Sequence, residues 1–288
     1  VVRSEEELDS LARRIAQQKW LVLDTETTDL DAMRADLVGI SIGLGGGEAF
    51  YLPVGHAGDR QLPLPAVLKR LGPLLEAPDI RVTGHNLKYD IVVLARQGLW
   101  PSGLAFDTMI AAYLLGEGGG GGGRRGEGAL SLKWLVSRRL GIEMTEIAQL
   151  LGGTRKGAQL TMDRVDIEAA ARYACADADM TARLRDVFEP ELEEKGMRRL
   201  FHEIEMPLVS VLARMEMNGV AIDTGALREM SETLAMEVRR LEEEIYASVG
   251  HQFNIGSPQQ LSYVLFEELH LPKTRRLKTG AYSTDAQA

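Results

Sequence analysis

The sequence has a single cysteine, Cys175, in 288 residues. No disulfide can form within it, and the expected setting is the reducing cytoplasm. No apolar run approaches the ~20 residues that a membrane span needs, and the opening residues lack a secretory pattern, so no membrane partner is expected. A net positive charge is also missing: the balance is -9, whereas nucleic-acid binders usually present a basic surface. What is present is ordinary for a globular chain, 45% hydrophobic and 26% charged residues. That composition excludes collagen-like, mostly disordered and disulfide-scaffold classes, and the length allows one large domain or two modest ones.

The charge is uneven. Residues 1–190 carry 26 acidic and 22 basic side chains, and residues 191–288 carry 16 and 11. Residues 124–156 reverse the sign: Arg124, Arg125, Lys133, Arg138, Arg139, Arg155 and Lys156 face only Glu127, Glu143 and Glu146. A second basic cluster gathers Lys273, Arg275, Arg276 and Lys278. Each stretch is either a solvated face or a local anion-binding surface.

The apolar periodicity predicts a helix over 5–17, with Ser4 and Glu7 as a capping box. Strands follow over 20–24, 37–44 and 49–54, the last two split by Gly45, Gly46 and Gly47; such short links imply antiparallel hairpins. Helix and strand then alternate: helix 64–75, strand 80–83, helix 87–97, strand 104–106, helix 108–115. The expected fold is α/β, a mixed sheet with helices on its faces. Gly118 to Gly123 form an unbroken glycine run, read as a mobile loop. Helical patterns resume at 130–140 and 166–192. Beyond Lys195 and Gly196 the pattern is helical only, with helices around 204–217 and 225–249 and one that Ser257 caps and Pro258 begins. The expected domains are 1–193 and 194–288. Thr279 to Ala288 show no terminating element, so the chain is read as part of something longer.

Three groups of residues carry chemistry. Asp24-Thr25-Glu26 ends the first strand; alternate strand residues share a face, and two adjacent carboxylates repel unless a cation such as Mg2+ lies between them. Asn86 opens the helix of the stretch Gly84-His85-Asn86-Leu87-Lys88-Tyr89-Asp90 as a possible cap, with Asp90 in its first turn, where the helix dipole also favours a carboxylate. Tyr173 and Asp177 sit one helical turn apart and emerge on one face. Each group alone has an ordinary structural explanation: a turn cap, a dipole partner, a buried tyrosine beside an exposed acid.

Together, Asp-x-Glu on a strand, Asn-x-x-x-Asp some sixty residues later and Tyr-x-x-x-Asp on a late helix resemble the tyrosine branch of the DEDD exonuclease superfamily. The phrases Leu23 to Thr27, Asn86 to Asp90, Phe106 to Met109 and Arg172 to Asp179 look like the 3′-5′ proofreading exonuclease domain of family A DNA polymerases of the bacterial polymerase I type. Ile204 to Leu208, Asn218 to Val220, Phe253 to Leu261 and Leu265-Phe266 look like the start of that family's polymerase domain, leading into its thumb. Palm and finger motifs are absent from these residues.

The resemblance implies a ribonuclease H-like mixed sheet followed by an all-α segment. It implies hydrolysis of DNA from the 3′ end with two Mg2+, Mn2+ substituting. Asp24 would bridge both metals, Glu26 and Asp177 would complete the site that holds the attacking water, Asp90 would hold the second metal, and Tyr173 would orient the water. Thr25, Leu30, Asn86, Lys88 and Tyr89 match the family's contacts to the terminal nucleotide, with Leu30 as a wedge against the base and Lys88 as a phosphate partner. The expected partners are a single-stranded or frayed 3′ end of DNA and the palm and fingers of the polymerase, in cis or as a separate chain. His85 and Cys175 are read as structural. An exoribonuclease of the RNase D kind shares the skeleton, and a non-catalytic polymerase fragment is the remaining alternative.

Overall fold

The computed structural model describes residues 1–58, 60–117, 130–152, 160–273, 275–276 and 282–284. The glycine run at 118–123, Arg124, Arg125, Glu127, Arg155, Lys156 and Lys278 lie outside the described residues. Two compact units emerge, Val1–Gly219 and Val220–Ala288.

The first unit is built on five strands: β1 (Trp20–Thr27), β2 (Leu37–Gly45), β3 (Glu48–Pro53), β4 (Arg81–Gly84) and β5 (Leu104–Asp107). Their spatial order is β3-β2-β1-β4-β5. β1 pairs antiparallel with β2, and β2 with β3, while β1–β4 and β4–β5 are parallel. This is the mixed sheet expected from a short-linked hairpin meander followed by helical crossovers.

Its helices are α1 (Glu5–Gln18), α2 (Leu64–Leu75), α3 (Leu87–Arg96), α4 (Thr108–Leu114), α5 (Leu132–Leu140), α6 (Ile147–Leu150), α7 (Ile167–Glu194), α8 (Arg198–Leu200) and α9 (Met206–Asn218). Both halves of the Ser4–Glu7 capping box are formed at α1. Asn86 does not cap α3 as expected: it stands in the left-handed region at φ 64° and makes no side-chain cap bond. The Asp107 carboxylate does that work, accepting from the Asn86 and Leu87 amides at 3.1 and 2.7 Å and also from Met109 and Ile110 at the start of α4. One buried carboxylate thus satisfies orphan amides of two helices.

β1 is the centre. Val22 packs with Ala178 and Ala182 of α7, while Leu21 and Leu23, of opposite parity, join the main core with Leu87 and Ile91 of α3. The strand alternation therefore sends its two neighbours of Val22's parity, Asp24 and Glu26, toward α7. Gly43 on β2 permits the close approach: a Cβ there would lie 3.1 Å from Val22 Cβ and 3.3 Å from the Ala178 carbonyl.

The first compact unit runs on past residue 193. Phe201, Met206, Val209 and Ala213 are buried in its core, and the Phe201 ring stacks 4.7 Å from that of Phe106 on β5. Residues 194–219 are folded into the first unit because their apolar stripe closes one end of the sheet. The second unit holds α10 (Thr224–Val249), α11 (Pro258–Tyr263) and a π-helical turn, Val264–Glu268. Asp223 caps α10 and Ser257 caps α11. The Tyr246 and Phe253 rings meet edge-on at 6.0 Å, and Val264 and Phe266 are its buried apolar residues among those described. Among the described residues no helix is long and apolar enough to cross a membrane.

Candidate active site

Asp24 and Glu26 from β1, Asp90 from α3 and Asp177 from α7 act on one another electrostatically at the end of the sheet. Glu26, Asp90 and Asp177 are 7%, 3% and 9% exposed. Burial raises the carboxyl pKa of all four, and the neighbouring charges of Asp24 and Asp177 add to it for their partners. For Asp24, burial and the Asp177 charge push the value up to about 7. Burial and the charges of their neighbours oppose ionisation of Asp24, Glu26 and Asp90, so the cluster asks for added positive charge.

Each acid is held differently. Asp24 faces Ser41 across the β1–β2 pairing and accepts from its hydroxyl at 3.2 Å. Asp90 accepts from both the amide and the hydroxyl of Thr25, at 2.9 and 2.6 Å. Asp177 receives the Lys133 ammonium of α5 on both oxygens. That ammonium also lies 4.2 Å from the centroid of the Tyr173 ring. The Tyr173 hydroxyl hydrogen-bonds to Asp177 and pulls its carboxyl down, though burial outweighs this and the Lys133 charge. Burial raises the Tyr173 phenol itself, so it keeps its proton. A cavity of about 330 Å³ opens beside Tyr173 and Asp177, lined also by Met144, Thr145, Gln149 and Arg172.

The donor set suits hard divalent cations: carboxylate oxygens only, from three elements. Lys133 already brings one positive charge into it. Among the described residues no three His, Cys, Asp or Glu side chains are placed to hold a metal ion together, so the fit rests on donor chemistry and on the unfavourable crowding of like charge.

The other expected residues divide. Both donors of Thr25 are committed to Asp90, which makes it a support for that acid. The Tyr89 hydroxyl bonds to Thr27 Oγ1 and to the Asp29 carbonyl, bracing the loop that carries Leu30. Leu30 is 92% exposed and adds nothing to the core. Lys88 is paired with Glu216 of α9. His85 is half-buried and meets the Thr108 hydroxyl at 2.8 Å, and desolvation holds its imidazole neutral with a pKa down at about 4. Cys175 packs beside the buried residues under α7, as expected of a structural thiol.

The basic stretch 124–156 is not a free basic face among the described residues. Lys133 pairs with Asp177, Arg138 with Glu117 at 2.9 Å, and Arg139 with Glu117 and Glu191. Lys133, Asp107 and Ser41 are residues that sequence reasoning left without a part in the site. Asp107 had a signal, its place between a strand and a helix. Lys133 had only its membership of a basic run.

A family model described as 3′-5′ exonuclease matches residues 1–193, and one described as DNA polymerase family A matches 224–288. DNA polymerase I of Chloroflexus aurantiacus is 38% identical over 292 residues, covering 100% of this chain and 30% of that protein. DNA polymerase I of Pseudomonas aeruginosa is also 38% identical, over 99% of this chain and 31% of its own length. The chain thus spans about 30% of the length of these curated relatives. Among solved structures, the POL domain of Pol1 from M. smegmatis, in complex with DNA primer-template and dNTP, superposes with a TM-score of 0.66 at 27% identity, covering 97% of this chain and 43% of that one. Brucella melitensis NrnC shares the fold, with a TM-score of 0.52 at 24% identity over 70% of this chain and 86% of its own.

Proposed function

The chain belongs to the 3′-5′ exonuclease family of family A DNA polymerases, and from that premise we propose that it removes nucleotides from the 3′ end of DNA as the proofreading part of a longer polymerase. Residues 1–193 carry the nuclease, and 194–288 begin the polymerase domain, whose palm and fingers lie elsewhere. The reading rests on one observation: carboxylates from β1, α3 and α7, three of them buried, gather at one end of the sheet, where Thr25 holds Asp90, Ser41 holds Asp24 and Lys133 holds Asp177.

Asp24, Glu26, Asp90 and Asp177 are the residues to hold divalent cations, two Mg2+ with Mn2+ as substitute. Such ions, when bound, supply an acidified water and neutralise the charge that builds on the phosphate. Tyr173 keeps its proton because it is buried, so it serves to orient the attacking water by hydrogen bonding and not as the base. Thr25 holds Asp90 on its ligand-bearing side. The exposed Leu30 is available to press on the terminal base, and Asn86 and Tyr89 are assigned to the same nucleotide. Lys88 turns to phosphate at small cost, since a partly exposed ion pair such as its link to Glu216 is worth only about 0–1 kcal/mol. A frayed end is favoured because it has already lost the pairing that entry to such a site would break.

A 3′-labelled single strand and a matched and a mismatched duplex, incubated with Mg2+, test this. Asp24→Ala and Asp177→Ala should each cost more than the ~10–100-fold that loss of a supporting group costs. Undiminished hydrolysis in either variant refutes the assignment, and a preference for RNA over DNA refutes the substrate.

A further inference from the structure

Lys133 is held in place before it reaches Asp177. It lies in the first turn of α5, where Ser131 caps the helix and accepts from the Trp134 amide at 3.4 Å. Its neighbours Leu132, Leu135 and Val136 are buried, and α5 packs on α7. The side chains of Lys133 and Asp177 are 14% and 12% exposed, so the ammonium has little water to return to. It donates to both Asp177 oxygens, sits over the Tyr173 ring, and its charge also favours the ionised forms of Asp24 and Glu26. A single cation therefore already serves three of the four acids and the tyrosine.

We propose that Lys133 is a positioning residue, the built-in counter-cation of the acidic cluster, and that a divalent metal reaching Asp177 must displace its ammonium from the same two oxygens. This rests on the reading of the four acids as metal ligands and adds the residue that sets how readily they load. A carboxylate oxygen can accept from more than one partner, but a divalent ion and an ammonium on the same pair of oxygens repel each other strongly in a buried site. Lys133 thus keeps Asp177 and Tyr173 aligned without metal and sets a threshold for metal entry.

Manganese binding tests it without reference to turnover. Mn2+ is titrated into the 288-residue protein and into Lys133→Met and Lys133→Arg, with free Mn2+ read by electron paramagnetic resonance. Lys133→Met removes the charge and keeps an unbranched stem, and should bind Mn2+ on the order of tenfold more tightly than wild type. Lys133→Arg should stay near wild type. In the unmodified protein, acetic anhydride labelling of Lys133, read by mass spectrometry, should be slow without metal and should rise when Mn2+ is added. This second measurement holds even if Lys133→Met folds poorly. Equal or weaker Mn2+ binding by folded Lys133→Met, or labelling that ignores Mn2+, overturns the role of Lys133 and leaves the ligand assignment standing. Failure of every form to bind Mn2+ overturns both. Binding by Lys133→Met where wild type shows none supports the role in its strongest form.

Discussion

The two sides of the site are held by opposite means. On the sheet side, Asp24 and Asp90 accept from neutral donors, the Ser41 hydroxyl and the amide and hydroxyl of Thr25. Those donors belong to paired strands, so they cannot leave. On the helix side, Asp177 is held by an ammonium on a flexible stem, flanked by a tyrosine. Neutral donors orient a carboxylate and leave its remaining lone pairs open to a metal. A cation satisfies the carboxylate's charge as well and must be exchanged. The molecule thus combines a preorganised half with a half that rearranges on loading, and the difference follows from which partner each acid meets.

Three experiments bear on that comparison. The largest expected effect concerns the corner from which α3 springs. His85 is half-buried and neutral there, with its pKa lowered by desolvation to about 4 from an ordinary 6.5. Its neutrality stabilises the fold fully above pH 6.5, and that contribution is lost as pH falls toward 4, because the unfolded chain takes up the proton first. The loss amounts to up to about 3 kcal/mol at 1.36 kcal/mol per unit. Urea melts at pH 7 and 4.5 should show that His85→Asn has a shallower acid limb than wild type. Because the carboxylate cluster titrates in both proteins, the difference between them isolates the imidazole, and identical slopes would mean that this corner is not rigid.

Next is Thr25→Val, which deletes the hydroxyl that Asp90 accepts from and keeps the amide, the branched shape and the strand. Loss of such a supporting bond to a ligand typically costs about 10–100-fold in metal affinity or activity. A change within twofold in both Mn2+ binding and strand hydrolysis would show that the sheet side is no better organised than the helix side. The smallest effect belongs to Leu30→Ala. The side chain is 92% exposed, so stability should hold within about 0.5 kcal/mol. Loss of an apolar contact of about 1 kcal/mol to the terminal base should raise KM for single-stranded ends about fivefold at constant kcat. An unchanged KM would remove Leu30 from the substrate contacts.

Much of the fold was legible because its elements follow local rules. The 64–75 helix lies where its apolar spacing put it, and the Ser4–Glu7 capping box formed as written. The alternation that pairs Asp24 with Glu26 on one face is a property of any strand, as the sharing of a face by Tyr173 and Asp177 is of any helix. That Asn86 does not cap its helix was illegible because propensity recognises a capping residue type but not a competing carboxylate from the end of a neighbouring strand, Asp107 of β5. The packing of residues 194–219 into the first compact unit was illegible for a similar reason. Phe201, Met206 and Val209 form an apolar helical stripe in either place, and only the exposed end of β5 and α4 decides that it closes there.

The sequence by itself supplied the chemical groups, four carboxylates and a phenol, and the strand and helix periods that give Asp24 with Glu26, and Tyr173 with Asp177, a shared face. Only the tertiary structure decided which partner each of them has. Thr25 and Asp90 are 65 positions apart, Leu87 and Asp107 are 20 apart, and Lys133 and Asp177 are 44 apart. Periodicity reaches one helical turn or one strand. Contacts at these separations exist because the sheet and its helices bury their apolar faces together, and that packing brings a lysine from a basic run onto one of the four acids.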